Sequence, residues 1–210
     1  MPLTSKDDAL IESIIKRYPR SRSAIMPLLH LAQARDGYVT PESIEVIAGK
    51  LNLETAEVSA VATFYTQYKR KPVGEYHVGV CTNTLCAVMG GDAIFEALKD
   101  HLGVDNDEVT EDGKVSVEHI ECNAACDYAP VVMVNWEFFD NQTVESAKDL
   151  VDSIRSGNPP APTRGPKRLQ TWKENSEVLA GINDGLANEG VQAGEPTLLG
   201  LKIAKGGSAK

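Results

Sequence analysis

A chain of 210 residues, 42% apolar and 24% charged, can form one large domain or two small ones and can bury a core without disulfide staples. Its formal charge of −9, with no Lys/Arg-rich run and no aromatic–basic interleaving, argues against nucleic acid as a partner. No stretch approaches 18 consecutive apolar residues, and the opening MPLTSKDD reads as neither a secretory leader nor a transit peptide, so a soluble protein of a reducing compartment, with no direct membrane insertion, is expected.

Residues 1–71 read as a small helical domain of four short helices. Ser5 can cap a first helix with Leu10, Ile11, Ile14 and Ile15 inward, ending at Pro19. Ser23 can cap a second, burying Ile25, Leu28, Leu29, Leu31 and Ala32 and stopping at Asp36-Gly37; His30 on its apolar face is expected to be partly buried and hydrogen-bonded. Thr40-Pro41 is a strong start for a third, with Ile44, Ile47, Ala48 and Leu51 inward. Thr55 opens a fourth, which runs through Val58, Val61 and Ala62 to Phe64, Tyr65 and Tyr68.

The period changes near residue 72. EYHVGVC alternates Tyr76, Val78 and Val80, which is a strand, and Cys81 closes it. Gly90-Gly91 leads into a helix with Ile94, Phe95, Leu98 and Leu102. KVSVEHIEC is a second strand that ends at Cys122; VVMVN and WEFFD are a third and fourth, and Thr143 caps a last helix with Ala147, Leu150, Val151 and Ile154 inward. The order β-α-β-β-β-α over residues 72–157 points to a thioredoxin-like arrangement, with another small α+β layer fold as the alternative. The whole is α+β: an N-terminal helical bundle, then a thioredoxin-like α/β domain, then an irregular tail over 158–210. Residues 156–210 hold nine Gly and five Pro with no sustained period, and read as a free tail or as an arm that wraps a partner; Trp172 and TLLGLKIAK favour the arm.

All four cysteines fall in two pairs, C81-TNTL-C86 and C122-NAA-C126. Both pairs follow predicted strands, and in a parallel βαβ unit those strand ends leave the same edge of the sheet, so the loops should converge. Four uses compete for such a site. Disulfides fit a reducing compartment poorly. Dithiol catalysis wants C-x-x-C, which neither pair has. Structural zinc accepts four thiolates at such spacings. A [2Fe–2S] cluster also takes four, one pair for each iron. The plant-type ferredoxin pattern C-x4-C-x2-C is broken at Met89.

Cys81–Cys86 with Gly90, and Cys122–Cys126 with Ala129-Pro130 and the VVMVN strand, resemble the thioredoxin-like [2Fe–2S] ferredoxin family, and within it the small cluster-bearing subunits of NADH:quinone oxidoreductase, respiratory complex I, that are lettered E in bacteria. The likeness runs from about residue 8 to 160 and takes in Leu28-Leu29-His30-Leu31-Ala32-Gln33, Gly37-Tyr38 and Phe64-Tyr65. The resemblance implies an electron-transfer subunit without independent catalysis, with one [2Fe–2S] cluster on Cys81, Cys86, Cys122 and Cys126. It implies a flavoprotein partner that holds FMN and NADH, further peripheral-arm subunits, and a cytoplasmic place against the inner face of the cell membrane. Equivalent subunits of NAD-linked hydrogenases and formate dehydrogenases are the alternative, a zinc-stabilised interaction module a remoter one. Ala124 departs from the family, which often has glycine there, and so puts some strain in the second loop. Pro130 stands where the thioredoxin fold often holds a cis proline.

Glu121 and Asp127 flank the second pair, and added negative charge opposes reduction of an anionic cluster, so a low potential is expected. Backbone N–H groups of 82–91 and 123–129 should offset it, with Gly90 and Gly91 allowing close approach. His77 and His119 lie in strands that lead toward the site, whereas Phe64, Tyr65, Tyr76 and Trp136 read as core or interface.

Overall fold

The computed structural model describes residues 3–186 and 188–208. The chain forms two compact units, Met1–Glu75 with Gln170–Asp184 and Tyr76–Leu169 with Gly185–Lys210.

The first unit is helical: α1 (Asp8–Ile15), α2 (Ile25–Asp36), α3 (Pro41–Leu51), α4 (Thr55–Phe64) and α8 (Trp172–Leu179). α2 is its axis, buried continuously from Pro27 to Ala34 and stopped by Gly37 at φ 86°. Thr40 caps α3 by accepting the Ser43 N–H, and Pro41 takes the first turn. The caps expected at Ser5 and Ser23 are absent. Short 3-10 turns precede both helices there, the first capped by Thr4 and the second lacking a side-chain cap. Ile11, Ile14, Leu28, Leu29, Leu31, Ile47 and Val58 meet in one core, each such side chain contributing roughly 1.5–3 kcal/mol against exposure.

α8 lies in the segment where no helical period is legible. It is held by tertiary contacts: Trp172 is 1% exposed, and its indole N–H donates 2.7 Å to the Gly37 carbonyl at the end of α2. Glu177 accepts from Arg35 at 2.6 Å, and Thr171 and Glu174 close a capping box.

The second unit is a five-stranded mixed sheet with helices. β1 (Tyr76–Cys81), β2 (Glu108–Val109), β3 (Val115–Ile120), β4 (Val132–Val134) and β5 (Glu137–Phe139) lie in the order β2-β3-β1-β4-β5. β1 and β3 are parallel; every other pairing is antiparallel. β2, two residues long, is an addition to the expected strands. Tyr76, Val78, Val80, Val115 and Val117 pack with α6 (Gly91–Leu102) and α7 (Val144–Arg155) in one core. The residues between them on β1 face the other way, where Cys81 joins Ile120, Tyr128, Val131 and Met133 in a smaller cluster. α5 (Thr84–Val88) sits between β1 and α6, and α9 (Glu195–Ala204) follows α8. No helix among the described residues is long and apolar enough to cross a membrane.

His30 differs from its expectation. It is 5% exposed, and its Nδ1 has no hydrogen-bond partner among the described residues; its ring lies 4.7 Å from that of Tyr68. Burial pushes its pKa down from 6.5 to about 4. The unfolded chain therefore takes up the proton first, and stability from this residue is complete above pH 6.5 and is lost as pH falls toward 4. Acidifying from pH 7.5 to 5 should cost the helical unit about 2 kcal/mol through His30 alone. Urea unfolding of wild type and His30→Leu, followed by Trp172 fluorescence in a Trp136→Phe background, should show that difference; equal pH slopes would refute it.

Candidate functional site

The β1–β3 register pairs Cys81 with Ile120. Cys81 thus ends β1 beside the end of β3, and Cys122 follows two residues later at the same edge. Cys86 lies within α5, one turn beyond β1. Cys126 begins a 3-10 turn, Cys126–Tyr128, before β4. Together Cys81, Cys86, Cys122 and Cys126 line one cavity of about 340 Å³ with Asn83, Thr84, Leu85 and Val88. All four thiols are free, the first pair buried and the second exposed. Among the described residues no group of three or more His, Cys, Asp or Glu side chains is gathered as for a single metal ion.

The backbone is shaped to this cavity. A Cβ on Gly91 would stand 2.5 Å from the Cys81 carbonyl oxygen and 2.9 Å from that of Cys86, so only glycine lets α6 start against the first pair. Asn83 donates across to the Ile120 carbonyl at 3.3 Å and ties the first loop to the root of the second. In the second loop the Ala124 N–H donates to Cys122 Sγ at 3.4 Å, from a residue at φ 54°. The strain expected of a non-glycine residue is thus located: a left-handed alanine costs roughly 1–2 kcal/mol. The Ala129–Pro130 bond is cis.

Burial pushes the Cys86 thiol up to about 11, and the Cys81 thiol and the charge of Cys126 add to the rise, while the Val131 N–H, donating to Cys86, opposes it. Cys126 is raised chiefly by the Cys122 side chain beside it, then by that residue's charge. The free chain therefore keeps these two groups protonated at neutral pH, and any metal bound by them would release protons. Cys86 and Cys126 are thus each raised by the other cysteine of their own pair and by a cysteine of the opposite pair.

Sequence reasoning missed Val131 and Asn83. The direction of a backbone N–H and a single side-chain reach leave no periodic trace. The histidines stay apart from the site. His77 Nε2 lies 2.6 Å from Glu118 Oε2, and His119 sits with its ring 5.9 Å from that of Phe95; neither lines the cavity. Phe64 and Tyr65 are exposed, while Tyr76 is core.

The sequence model of the thioredoxin-like [2Fe-2S] ferredoxins matches residues 11–155. The chain belongs to that family. It is 63% identical over 195 residues to the E subunit of the NADH-quinone oxidoreductase of Mycobacterium tuberculosis, covering 92% of this chain and 77% of that one. It is 43% identical over 154 residues to the protein of the same name from Rickettsia bellii, covering 72% and 92%. The solved structure of an NAD+-reducing [NiFe]-hydrogenase in the air-oxidized state superposes with a TM-score of 0.56 at 21% identity over 68% of this chain. This chain spans 25% of that hydrogenase chain, and the likeness is one of fold.

The Gly91 contact gives a direct test. Gly91→Ala should force apart the carbonyls of both first-pair cysteines, at a cost of roughly 1–3 kcal/mol for overpacking, and should lower thermal stability and the yield of iron-loaded protein together. A variant with both at wild-type levels would show that the close approach is dispensable.

Proposed function

We propose that the chain is the small electron-transfer subunit of NADH:quinone oxidoreductase, and that Cys81, Cys86, Cys122 and Cys126 hold its [2Fe–2S] cluster. The observation that carries this reading is the set of four thiols lining one cavity from two loops at the ends of parallel strands. That cavity is far larger than the share of volume of a water, about 30 Å³, and each loop brings two thiols to it, one pair for each iron of a two-iron rhomb. A bound cluster supplies storage for one electron at a time.

The residues of the chain do the rest. Cys81 and Cys86 are walled in by the sheet; Cys122 and Cys126 face the surface. The Val131 and Ala124 N–H groups donate to Cys86 and Cys122 and favour their thiolates. Exposed Leu85, Val88 and Met89 beside the cavity form the apolar surface on which a flavoprotein subunit docks. That partner carries FMN and binds NADH, the remaining peripheral-arm subunits complete the assembly, and the complex works at the cytoplasmic face of the membrane.

Protein purified without oxygen should be brown, contain iron and acid-labile sulfide in equal amounts and give a paramagnetic signal on reduction. Serine at any one of the four cysteine positions should remove most of that colour. Colourless protein with one zinc per chain would replace this reading by that of an interaction module.

Glu121 and Asp127 are both exposed beside the second pair. Glu121→Gln combined with Asp127→Asn should raise the midpoint potential, because less negative charge faces the incoming electron. A redox titration that finds no shift, or a fall, rejects the tuning role.

A further inference from the structure

The second cysteine loop is the weaker half of the site. Residues 121–125 have no regular structure, Cys122 and Cys126 are exposed, and Ala124 is in a left-handed conformation. Two contacts from beyond residue 155, where the family match ends, grip its downstream end.

The first is Arg164. Its guanidinium donates to Asp140 from Nε at 2.9 Å and from a terminal nitrogen at 3.2 Å, with the two side chains only 16% and 6% exposed. The same guanidinium lies 3.8 Å from the ring centre of Phe138 and 4.8 Å from that of Tyr128. Tyr128 is two residues after Cys126, so the cation bears directly on the loop. Thr163 fixes Arg164 in place, its N–H donating to the Phe138 carbonyl at 2.9 Å and its hydroxyl to Asp140 at 2.8 Å. The second contact is α9. Thr197, in its first turn, donates to the Asp127 carboxylate and lies 3.4 Å from the Tyr128 hydroxyl. Gly194 packs so close to that hydroxyl that a Cβ there would collide with it. The chain between the two contacts is itself anchored, with the Gly165 N–H donating to the Val191 carbonyl at 3.0 Å.

We propose that residues 163–165 and 191–197 form a clamp, in which Arg164 and Thr197 act as positioning residues that hold Asp127–Tyr128 and thereby keep Cys122 and Cys126 in place to bind the cluster. The proposal rests on the cluster reading above. Groups that orient metal ligands typically change metal affinity about 10- to 100-fold when removed, and a clamp on an exposed loop acts in the same way.

The test uses the full chain, reconstituted with iron and sulfide, and follows bleaching by an iron chelator. Arg164→Ala and the milder Thr197→Val should each bleach about tenfold faster than wild type or more, with Arg164→Lys intermediate. Arg155→Ala breaks a more exposed ion pair in the same unit, to Asp112 at 2.8 Å, and should bleach at the wild-type rate. Amides 123–128 should exchange hydrogen faster in the first two variants only, with or without cluster. Wild-type bleaching and exchange in Arg164→Ala and Thr197→Val would overturn the clamp, as would equal acceleration in Arg155→Ala. A wild-type chain that takes up no cluster defeats the cluster reading instead, and exchange in that cluster-free chain still decides the clamp.

Discussion

The parallel hydrogen bonding of β1 to β3 is the constraint on which the site depends. Because both strands run the same way and Cys81 pairs with Ile120, two loops separated by dozens of residues leave the sheet side by side. An antiparallel pairing would put Cys81 and Cys122 at opposite ends of six-residue strands, roughly 17–20 Å apart at about 3.3 Å per residue, beyond the reach of any shared group. α6 enforces the geometry: a parallel connection needs a crossover, and Gly91 lets that crossover begin directly against the carbonyls of Cys81 and Cys86.

Four cysteines round one cavity resist ionisation: burial raises the Cys86 thiol, and the Cys122 side chain raises Cys126. N–H donors from Val131 and Ala124 work against it. The Ala124 donor needs a left-handed turn, which alanine adopts at roughly 1–2 kcal/mol.

Much of this was legible in the residues. Period-two alternation showed β1 and β3, period 3.6 showed α6 and α7, and the position of each cysteine pair after a strand implied that the loops converge. What escaped had no local signature. α5 is one turn long with Leu85 and Val88 exposed, so it lacks an apolar stripe. β2 has two residues. α8 owes its place to Trp172, to the Arg35–Glu177 ion pair and to Gln33–Ser176 and Lys173–Arg35 contacts with α2; the sequence marked Trp172 as an anchor but not what it would bind. His30 sits on the expected apolar face, but that its Nδ1 goes unpaired depends on the absence of a donor or acceptor from other elements, which no single helix reveals.

The chain visits its two units alternately, returning at Gln170–Asp184 to the helical one after the sheet is built. On the ribosome the helical unit therefore waits: Trp172, the plug against the end of α2, emerges only after every strand has been made. Nascent chains halted before that point would carry a complete sheet but an unfinished bundle, with Gly37's carbonyl and the flank of α2 open to water or to a chaperone. No single proteolytic nick can release either unit as one intact, contiguous fragment.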